Sequence, residues 1–311
     1  MSEAAIAPFN TKARALSPTK GFKRAKQAFT PGGMNEPVPP GDRAALLLHF
    51  AQACVEAGEA IMAIYQSGFT VATKQDRSPV TEADAAGEAI ILRALARWLP
   101  QVPVVAEEEV AAGRVPTVGD TFLLVDPLDG TKEFIERRGD FTVNLALIER
   151  GAPSLGVVYA PVERRLFAGD VPARDAWSAV VGANGSLGEA ALLSIRRAPA
   201  TGLFAVASRS HGSAATEAYL ANFPIAERVS RGSSLKICMV AAGEADLYPR
   251  LAPTCEWDIA AGDAVLRAAG GTLSAPDGRP MPYGKPRFFN EGFVAAGDVI
   301  APPIAPFLAR A

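Results

Sequence analysis

The segment FLLVDPLDGT at residues 122–131 constrains the fold of this chain more than any other. Its four leading apolar residues suit a buried strand, and the Pro, Asp and Gly that follow are ordinary turn formers. We therefore expect a strand that ends in a loop, with Asp126 and Asp129 in that loop on either side of Pro127 and Leu128. Loops at strand ends are common places for functional side chains.

The composition is that of a globular chain whose partner is not nucleic acid. The 311 residues are 49% hydrophobic and 21% charged with a formal net charge of -2, which supports two core-bearing domains and provides no long basic stripe. Three scattered cysteines and two histidines argue against a disulfide framework, a zinc site or a His-rich metal site. Any metal should be a hard cation with oxygen ligands. Without a run of about 18 apolar residues we expect no membrane span, and a cytoplasmic location.

Residues 1–40 differ from the rest of the chain. They hold six Lys and Arg residues against Glu3 and Glu36, with Pro and Gly but no sustained periodicity. This pattern predicts a disordered basic tail. A transit peptide, or a weak peripheral contact with anionic lipid at the cytoplasmic face of the inner membrane, is a sharper alternative, and Met34 is an alternative start.

The remaining chain divides into two predicted halves. Asp42 is a suitable N-cap for a first helix, and a second is predicted at residues 83–98. Short apolar runs that predict strands follow at residues 102–106, 122–125, 141–148 and 155–159. Residues 41–171 therefore form a predicted α+β half, which we expect to bind metal. Strands alternate with helices in residues 172–311, which predicts an α/β half that binds substrate.

Three acidic segments are placed to share one pocket: AEEE at residues 106–109, DPLDGT at 126–131 and EWDIAAGD at 256–263. Convergent carboxylates repel one another, and divalent cations are the natural way to keep several of them ionised. In this interpretation Asp126 bridges two cations, Asp129 binds one, and the carbonyl of Leu128 is a neutral ligand. Gly130 lets the backbone approach a ligand closely, and N–H groups near Thr131 can cradle a phosphate oxygen.

Each acidic segment also has a purely structural interpretation. Asp-Pro and Asp-Gly are turn formers, and a run of three Glu residues is usually a solvated surface. Residues 257–271 on their own read as an amphipathic helix with small residues for close packing. The combination and order of the segments favour the functional interpretation.

That combination resembles the inositol monophosphatase superfamily, which comprises magnesium-dependent, lithium-sensitive phosphomonoesterases, from about Asp42 onward. DPLDGT and WDIAAGD match its two signature segments, and the resemblance implies a layered αβαβα sandwich. The chain is most similar to the 3'(2'),5'-bisphosphate nucleotidases of bacterial sulfate assimilation. The supporting segments are RSPVTEAD at 77–84, DPLDGTKEFI at 126–135, GVVYAPV at 156–162, SRSH at 208–211, GSSLK at 232–236 and LYPR at 247–250. The basic tail and the acidic CEWD lead-in depart from the family pattern.

The resemblance implies roles for individual residues. Glu107, Asp126, Asp129 and Asp258 correspond to the metal carboxylates and Leu128 to the carbonyl ligand, for two or three Mg²⁺ ions. Thr131 corresponds to the residue that orients the attacking water, partnered by Glu107 or Asp76, and Asp84 to an outer carboxylate near a more weakly held ion. The predicted substrate contacts are Gly130, Thr131, Ser208, Arg209, His211, Ser233, Lys236, Arg250 and Asp258, with Ser234 a further donor. A surface role for His211, a solvated Lys236 and a packed Cys255 thiol are the structural alternatives.

The predicted activity is hydrolysis of the 3'-phosphate of adenosine 3',5'-bisphosphate to AMP and phosphate, which clears a by-product of sulfate activation. The partner would thus be a small phosphorylated nucleotide, and the pattern carries no prediction of oligomeric state. One alternative is a broader inositol or sugar phosphate phosphatase with the same metal core. Another is a catalytically silent protein that senses the nucleotide.

Overall fold

The structure, a computed structural model, describes residues 41–73, 79–208 and 213–308. The predicted tail at residues 1–40 lies outside these ranges. So do three predicted site residues, Asp76, Arg209 and His211.

Two helices form the first layer. Helix α1 (Arg43–Ser67) begins where predicted, because the Asp42 carboxylate accepts a hydrogen bond from the Ala45 N–H at 3.0 Å. The hairpin of β1 (Val71–Thr73) and β2 (Pro79–Thr81) leads into α2 (Glu82–Trp98). Helix α1 is long and apolar enough to cross a membrane, but 67% of its most apolar stretch is buried inside the fold, as expected of a core helix.

A seven-stranded sheet forms the second layer, with its strands in sequence order and with β3 and β4 parallel and all other neighbours antiparallel. Its strands are β3 (Val104–Ala106), β4 (Thr121–Asp129), β5 (Thr142–Glu149), β6 (Ala152–Ala160), β7 (Arg165–Asp170), β8 (Asp175–Val181) and β9 (Leu187–Leu192). Two short helices, α3 (Glu107–Ala111) and α4 (Thr131–Ile135), follow β3 and β4. The expected division at residue 171 falls between β7 and β8, so one continuous sheet spans it.

The later chain supplies a mixed five-stranded sheet in the order β11-β10-β12-β16-β14. Its strands are β10 (Leu203–Ser208), β11 (Ile225–Arg231), β12 (Leu247–Arg250), β14 (Thr272–Ser274) and β16 (Phe293–Ala296). The helices of this part are α5 (Ala214–Leu220), α6 (Leu235–Ala241), α7 (Glu256–Ala268) and α8 (Ala305–Leu308). A small ladder of β13 (Thr254–Cys255) and β15 (Phe289–Asn290) lies next to the start of α7. The predicted alternation of helices and strands is confirmed here.

Three hydrophobic cores hold five layers of helices and sheets together. The first core joins α1 and α2 to one face of the seven-stranded sheet, and the second joins its other face to α6, α7 and the five-stranded sheet. The third core places α5 and α8 on the outer face of the five-stranded sheet. The layers therefore follow the order αβαβα, which confirms the predicted sandwich.

At two places helix α7 packs directly against the backbone of the seven-stranded sheet, with no side chain between the two. A Cβ on Gly156 would lie 2.5 Å from the Ala261 carbonyl oxygen, and one on Gly169 would lie 2.7 Å from Val265 Cα. Real Cβ atoms do not approach so closely, so glycine is required at both positions. The contact fixes the depth of α7, whose first turn carries Asp258.

Candidate active site

Strand β4 carries the two aspartates inside the sheet, which corrects the prediction that both lie in a loop after the strand. Asp126 pairs with Asn144 of β5 and Asp129 pairs with Thr142, with a register shift between the two pairs. Pro127 has no N–H to donate, and an irregularity of this kind is how a ladder accommodates it. The side chain of Asp126 accepts the Leu128 N–H at 3.0 Å and is 1% exposed. The carboxylates are thus fixed by sheet pairing.

Several groups converge on one oxygen of Asp129. The Ser234 N–H donates to Asp129 Oδ2 at 2.5 Å, and the Asn144 amide donates to the same oxygen at 3.4 Å. The Ser234 hydroxyl in turn donates to Asn144 Oδ1 at 2.8 Å and lies 2.9 Å from the Thr142 hydroxyl. Because Asn144 Oδ1 is occupied by Ser234, its NH₂ faces Asp129.

The other two carboxylates stand at the first turns of helices. Glu107 is the first residue of α3, directly after β3. Asp258 lies in the first turn of α7, where its Oδ2 accepts the Cys255 N–H at 2.8 Å. Its neighbour Glu256 is fully buried and accepts hydrogen bonds from the N–H groups of residues 284 and 285. The acidic CEWD lead-in therefore fastens a distant loop to the start of α7.

Four carboxylates are close enough to disturb one another's ionisation. Burial raises the pKa of Asp126 well above its usual range, and the charges of Glu107, Asp129 and Asp258 raise it further. Burial also raises the pKa of Asp258, reinforced by Asp129 and Glu107. Burial raises the pKa of Asp129, opposed by the Lys236 charge and the Ser234 N–H. The predicted convergence of the three acidic segments is therefore present.

The donor chemistry fits a hard divalent cation. Carboxylates and a main-chain carbonyl are the ligands that Mg²⁺ prefers, and added positive charge would offset the burial and repulsion that raise these pKa values. Across residues 41–73, 79–208 and 213–308, no group of three or more His, Cys, Asp and Glu side chains has the arrangement of a metal site. The carboxylates share one region without closing around a single point.

The Thr131 hydroxyl contacts a carboxylate of helix α2. It lies 3.3 Å from Asp84 Oδ1 and 3.3 Å from the Leu128 carbonyl oxygen. Asp84 is held in place from its other oxygen, which accepts both the N–H and the hydroxyl of Thr81 at 2.8 Å. Thr131 thus contacts Asp84, which was expected as an outer carboxylate, while its predicted partner Asp76 lies outside the described residues.

A cationic wall faces the carboxylates. Ser233, Ser234, Lys236 and Arg250 line the same cleft of about 280 Å³ as Glu107, Asp129, Gly130, Thr131 and Asp258. Lys236 is 4% exposed, its Nζ donates to the Ser233 carbonyl at 2.5 Å, and it lies 5.3 Å from the centre of the Tyr248 ring. The solvated alternative for Lys236 is therefore wrong.

The GSSLK loop is tied to the seven-stranded sheet through Asp140. Its Oδ2 accepts the Gly232 N–H at 3.1 Å, and its Oδ1 accepts the Arg231 guanidinium at 2.8 Å. A Cβ on Gly232 would lie 2.6 Å from the Asp140 carbonyl, and Ser233 adopts a left-handed φ of 48°. The cationic wall is thus held in a defined conformation.

Most predicted site residues therefore meet in one cleft, with three described exceptions. Asp126 and Leu128 are each 1% exposed and do not line the cleft, and Ser208 ends strand β10. Sequence reasoning missed the supporting residues Asp140, Thr142 and Asn144, together with the role of Asp84. The polar residues of FTVN (141–144), at the start of an otherwise apolar strand, were a signal for Thr142 and Asn144.

Comparison with known proteins agrees with the fold. Residues 43–307 match the Inositol monophosphatase family. The chain belongs to this family.

Its relatives within the family include bacterial nucleotidases. The chain is 42% identical over 252 residues to the 3'(2'),5'-bisphosphate nucleotidase CysQ of Shigella flexneri and to that of Escherichia coli strain K12, covering 80% of this chain and 98% of each relative. The crystal structure of CysQ from Bacteroides thetaiotaomicron aligns with a TM-score of 0.68 at 36% identity, covering 82% of this chain and 98% of that one. An inositol monophosphatase from Anabaena sp. PCC 7120 shares the fold with a TM-score of 0.62 at 23% identity.

Proposed function

We propose that this protein is a magnesium-dependent phosphomonoesterase that hydrolyses the 3'-phosphate of adenosine 3',5'-bisphosphate to AMP and phosphate. The observation that carries the proposal is the cleft itself, where clustered carboxylates and the Thr131–Asp84 pair face Lys236 and Arg250. The 42% identity to CysQ nucleotidases over 80% of the chain supports the choice of substrate.

The proposed metal ligands are Glu107, Asp126, Asp129, Asp258 and the Leu128 carbonyl, for two or three Mg²⁺ ions. When bound, Mg²⁺ offsets the negative charge of the phosphate and lowers the pKa of water. The shared cleft of Glu107, Asp129 and Asp258 supports this assignment, and burial together with the neighbouring carboxylates raises the pKa of Asp126 and Asp258.

Thr131 and Asp84 would handle the proton of the attacking water. Asp84 Oδ1 accepts the Thr131 hydroxyl proton, which leaves the threonine oxygen free to accept a proton from water. As the water oxygen bonds to phosphorus and the bond from phosphorus to the 3'-oxygen breaks, the water proton moves through Thr131 to Asp84, and the departing 3'-oxygen takes a proton from a second water molecule to become the 3'-hydroxyl of AMP. N–H groups of the first turn of α4, which follows Gly130, would bind a phosphate oxygen.

The second phosphate would bind the opposite wall. Lys236 and Arg250 supply positive charge, Ser233 supplies a hydroxyl, and all three line the cleft. Ser208, Arg209 and His211 belong to the same proposal as contacts from SRSH, and Asp76 stays proposed as a contributor near Thr131. A charge-assisted hydrogen bond to phosphate is worth about 1.5 to 3 kcal/mol, which is enough to separate a bisphosphate from a monophosphate.

We further propose a role in sulfate assimilation, a cytoplasmic location and inhibition by lithium, which would replace a magnesium ion without supplying its full charge. Peripheral contact of residues 1–40 with an anionic membrane is part of the same proposal. The competing function, a broader inositol or sugar phosphate phosphatase, has the same carboxylate set.

Phosphate release from matched substrates tests the proposal. Wild-type protein, Lys236→Ala and Arg250→Ala are assayed with adenosine 3',5'-bisphosphate, adenosine 3'-phosphate and inositol 1-phosphate in Mg²⁺. We expect the two variants to lower kcat/KM by about 10- to 100-fold for the bisphosphate alone. Equal losses on all substrates would assign both residues to the fold or the metals, and a wild-type preference for inositol phosphate would favour the competing function.

A further inference from the structure

Besides Asp84, helix α2 carries a buried carboxylate that has no part in the proposed chemistry. Glu88 is 4% exposed. Its Oε2 accepts the Glu108 N–H at 2.8 Å, and its Oε1 accepts the Glu109 N–H at 3.1 Å. Both oxygens of one side chain therefore bind the first turn of α3, the helix that begins with Glu107.

This contact supplies a helix cap from outside the helix. Ala106 occupies the N-cap position of α3, and its methyl side chain cannot accept a hydrogen bond. A five-residue helix has little stability of its own, so its first turn depends on outside partners. Glu88 accepts the N–H groups that a Ser, Thr or Asp side chain at the N-cap, position 106, would normally bind.

Glu88 and Asp84 are one helical turn apart on α2 and therefore point to the same side. Asp84 contacts the Thr131 hydroxyl at 3.3 Å, while Glu88 holds the turn that presents Glu107. A single rigid helix thereby sets the position of Glu107 relative to Thr131.

We propose that Glu88 is a positioning residue, which fixes the Glu107 carboxylate for metal binding through the N–H groups of residues 108 and 109. The inference rests on the proposed role of Glu107 as a metal ligand. Removing a group that orients a metal ligand typically weakens metal affinity by about 10- to 100-fold.

Direct binding of Mn²⁺ by full-length protein, followed by electron paramagnetic resonance, is the primary test because it needs no turnover. Glu88→Gln is nearly isosteric, but its NH₂ would face a main-chain N–H and break one of the two bonds. We expect Mn²⁺ affinity about 10- to 100-fold below wild type in Glu88→Gln. Excess Mg²⁺ should restore most of kcat, and KM for the nucleotide should be unchanged.

Two variants separate the possible causes. Glu109→Gln removes a charge from the same turn while keeping its main-chain N–H, and should bind Mn²⁺ as wild type does. Glu107→Gln should lose Mn²⁺ affinity. If it does and Glu88→Gln does not, only the role of Glu88 is overturned; if Glu107→Gln binds Mn²⁺ normally, the metal assignment and this inference both fail. A lower Tm in Glu88→Gln with unchanged Mn²⁺ affinity would show a merely structural role.

Hydrogen exchange of wild-type protein tests the inference without any variant. Metal bound by Glu107 should stabilise the turn that Glu88 holds, so adding Mg²⁺ should slow exchange of the N–H groups of residues 108 and 109. Exchange rates at these two groups that do not respond to Mg²⁺ would overturn the inference.

Discussion

Ser234 donates its main-chain N–H to Asp129 Oδ2 at 2.5 Å, although the two residues are 105 positions apart. The contact joins the loop that carries the cationic wall to a carboxylate in the metal region. Orientation of Asp129 therefore depends on both halves of the cleft.

Ser234→Ala tests this dependence. The variant keeps the main-chain bond but loses the hydroxyl that holds Asn144 and Thr142. Leaving buried polar partners unsatisfied should cost about 1 to 3 kcal/mol of unfolding free energy. The freed Asn144 amide should also raise the Mg²⁺ concentration for half-maximal activity by about 10-fold or more. Denaturant unfolding and a magnesium titration of phosphate release measure the two effects.

Ser186→Ala, in the turn before β9, is the matched control and should leave both quantities unchanged. A wild-type magnesium dependence in Ser234→Ala would contradict the proposed orientation of Asp129 through Asn144.

Asp84→Asn should lower kcat by about 10²- to 10⁴-fold, because an amide cannot accept the proton that Thr131 passes on. The amide oxygen can still accept from Thr81, so the start of α2 should stay folded. Stopped assays of phosphate release give kcat, and circular dichroism checks the fold. Asp42→Asn, at the N-cap of α1, is the control; similar kcat values in both variants would remove Asp84 from the proton path.

Lys236 predicts a specific pH dependence. Burial, assisted by the Arg250 charge and opposed by Asp129, lowers the pKa of Lys236 from 10.5 to about 8. The ammonium is therefore present below pH 8 and lost as the pH rises through that value. KM for adenosine 3',5'-bisphosphate should increase above pH 8, whereas KM for adenosine 3'-phosphate should show no such inflection.

Lys236→Met supplies the control for the pH profile. It should raise KM for the bisphosphate below pH 8, where wild-type Lys236 is charged, and abolish the inflection. An inflection that survives in Lys236→Met would assign the titration to another group.

Asp126→Asn should abolish magnesium-dependent turnover, because a neutral amide cannot replace the charge of a carboxylate that is proposed to hold Mg²⁺. Its buried position suits an isosteric change, since the amide oxygen can still accept the Leu128 N–H. Phosphate release is measured over a range of Mg²⁺ and after removal of metal with a chelator. The exposed Asp120→Asn should behave as wild type; full activity of Asp126→Asn or of metal-free protein would exclude the proposed metal chemistry.

Local signals predicted much of the fold. Asp42 caps α1 through a contact three residues away. The apolar runs of β4, β5 and β6 are recognisable from their length and their flanking turn residues. Such features depend on short-range chemistry and can be read from neighbouring residues.

Features that depend on distant residues were predicted less well. Strand β4 continues through Asp126 because Asn144 and Thr142 of β5 pair across the irregularity at Pro127. The Thr131–Asp84 contact spans 47 positions, and the GSSLK motif does not reveal the burial of Lys236. In each case the outcome is decided by tertiary packing and not by the local pattern.

The glycine contacts beneath helix α7 determine which parts of the cleft tolerate redesign. Gly156 and Gly169 leave α7 no room to shift on the sheet, so Asp258 belongs to a part that tolerates little redesign. The GSSLK loop is held instead by hydrogen bonds to Asp140 and Asp129. Substrate preference should therefore be easier to alter on the loop side, while changes behind α7 would damage the fold before they changed selectivity.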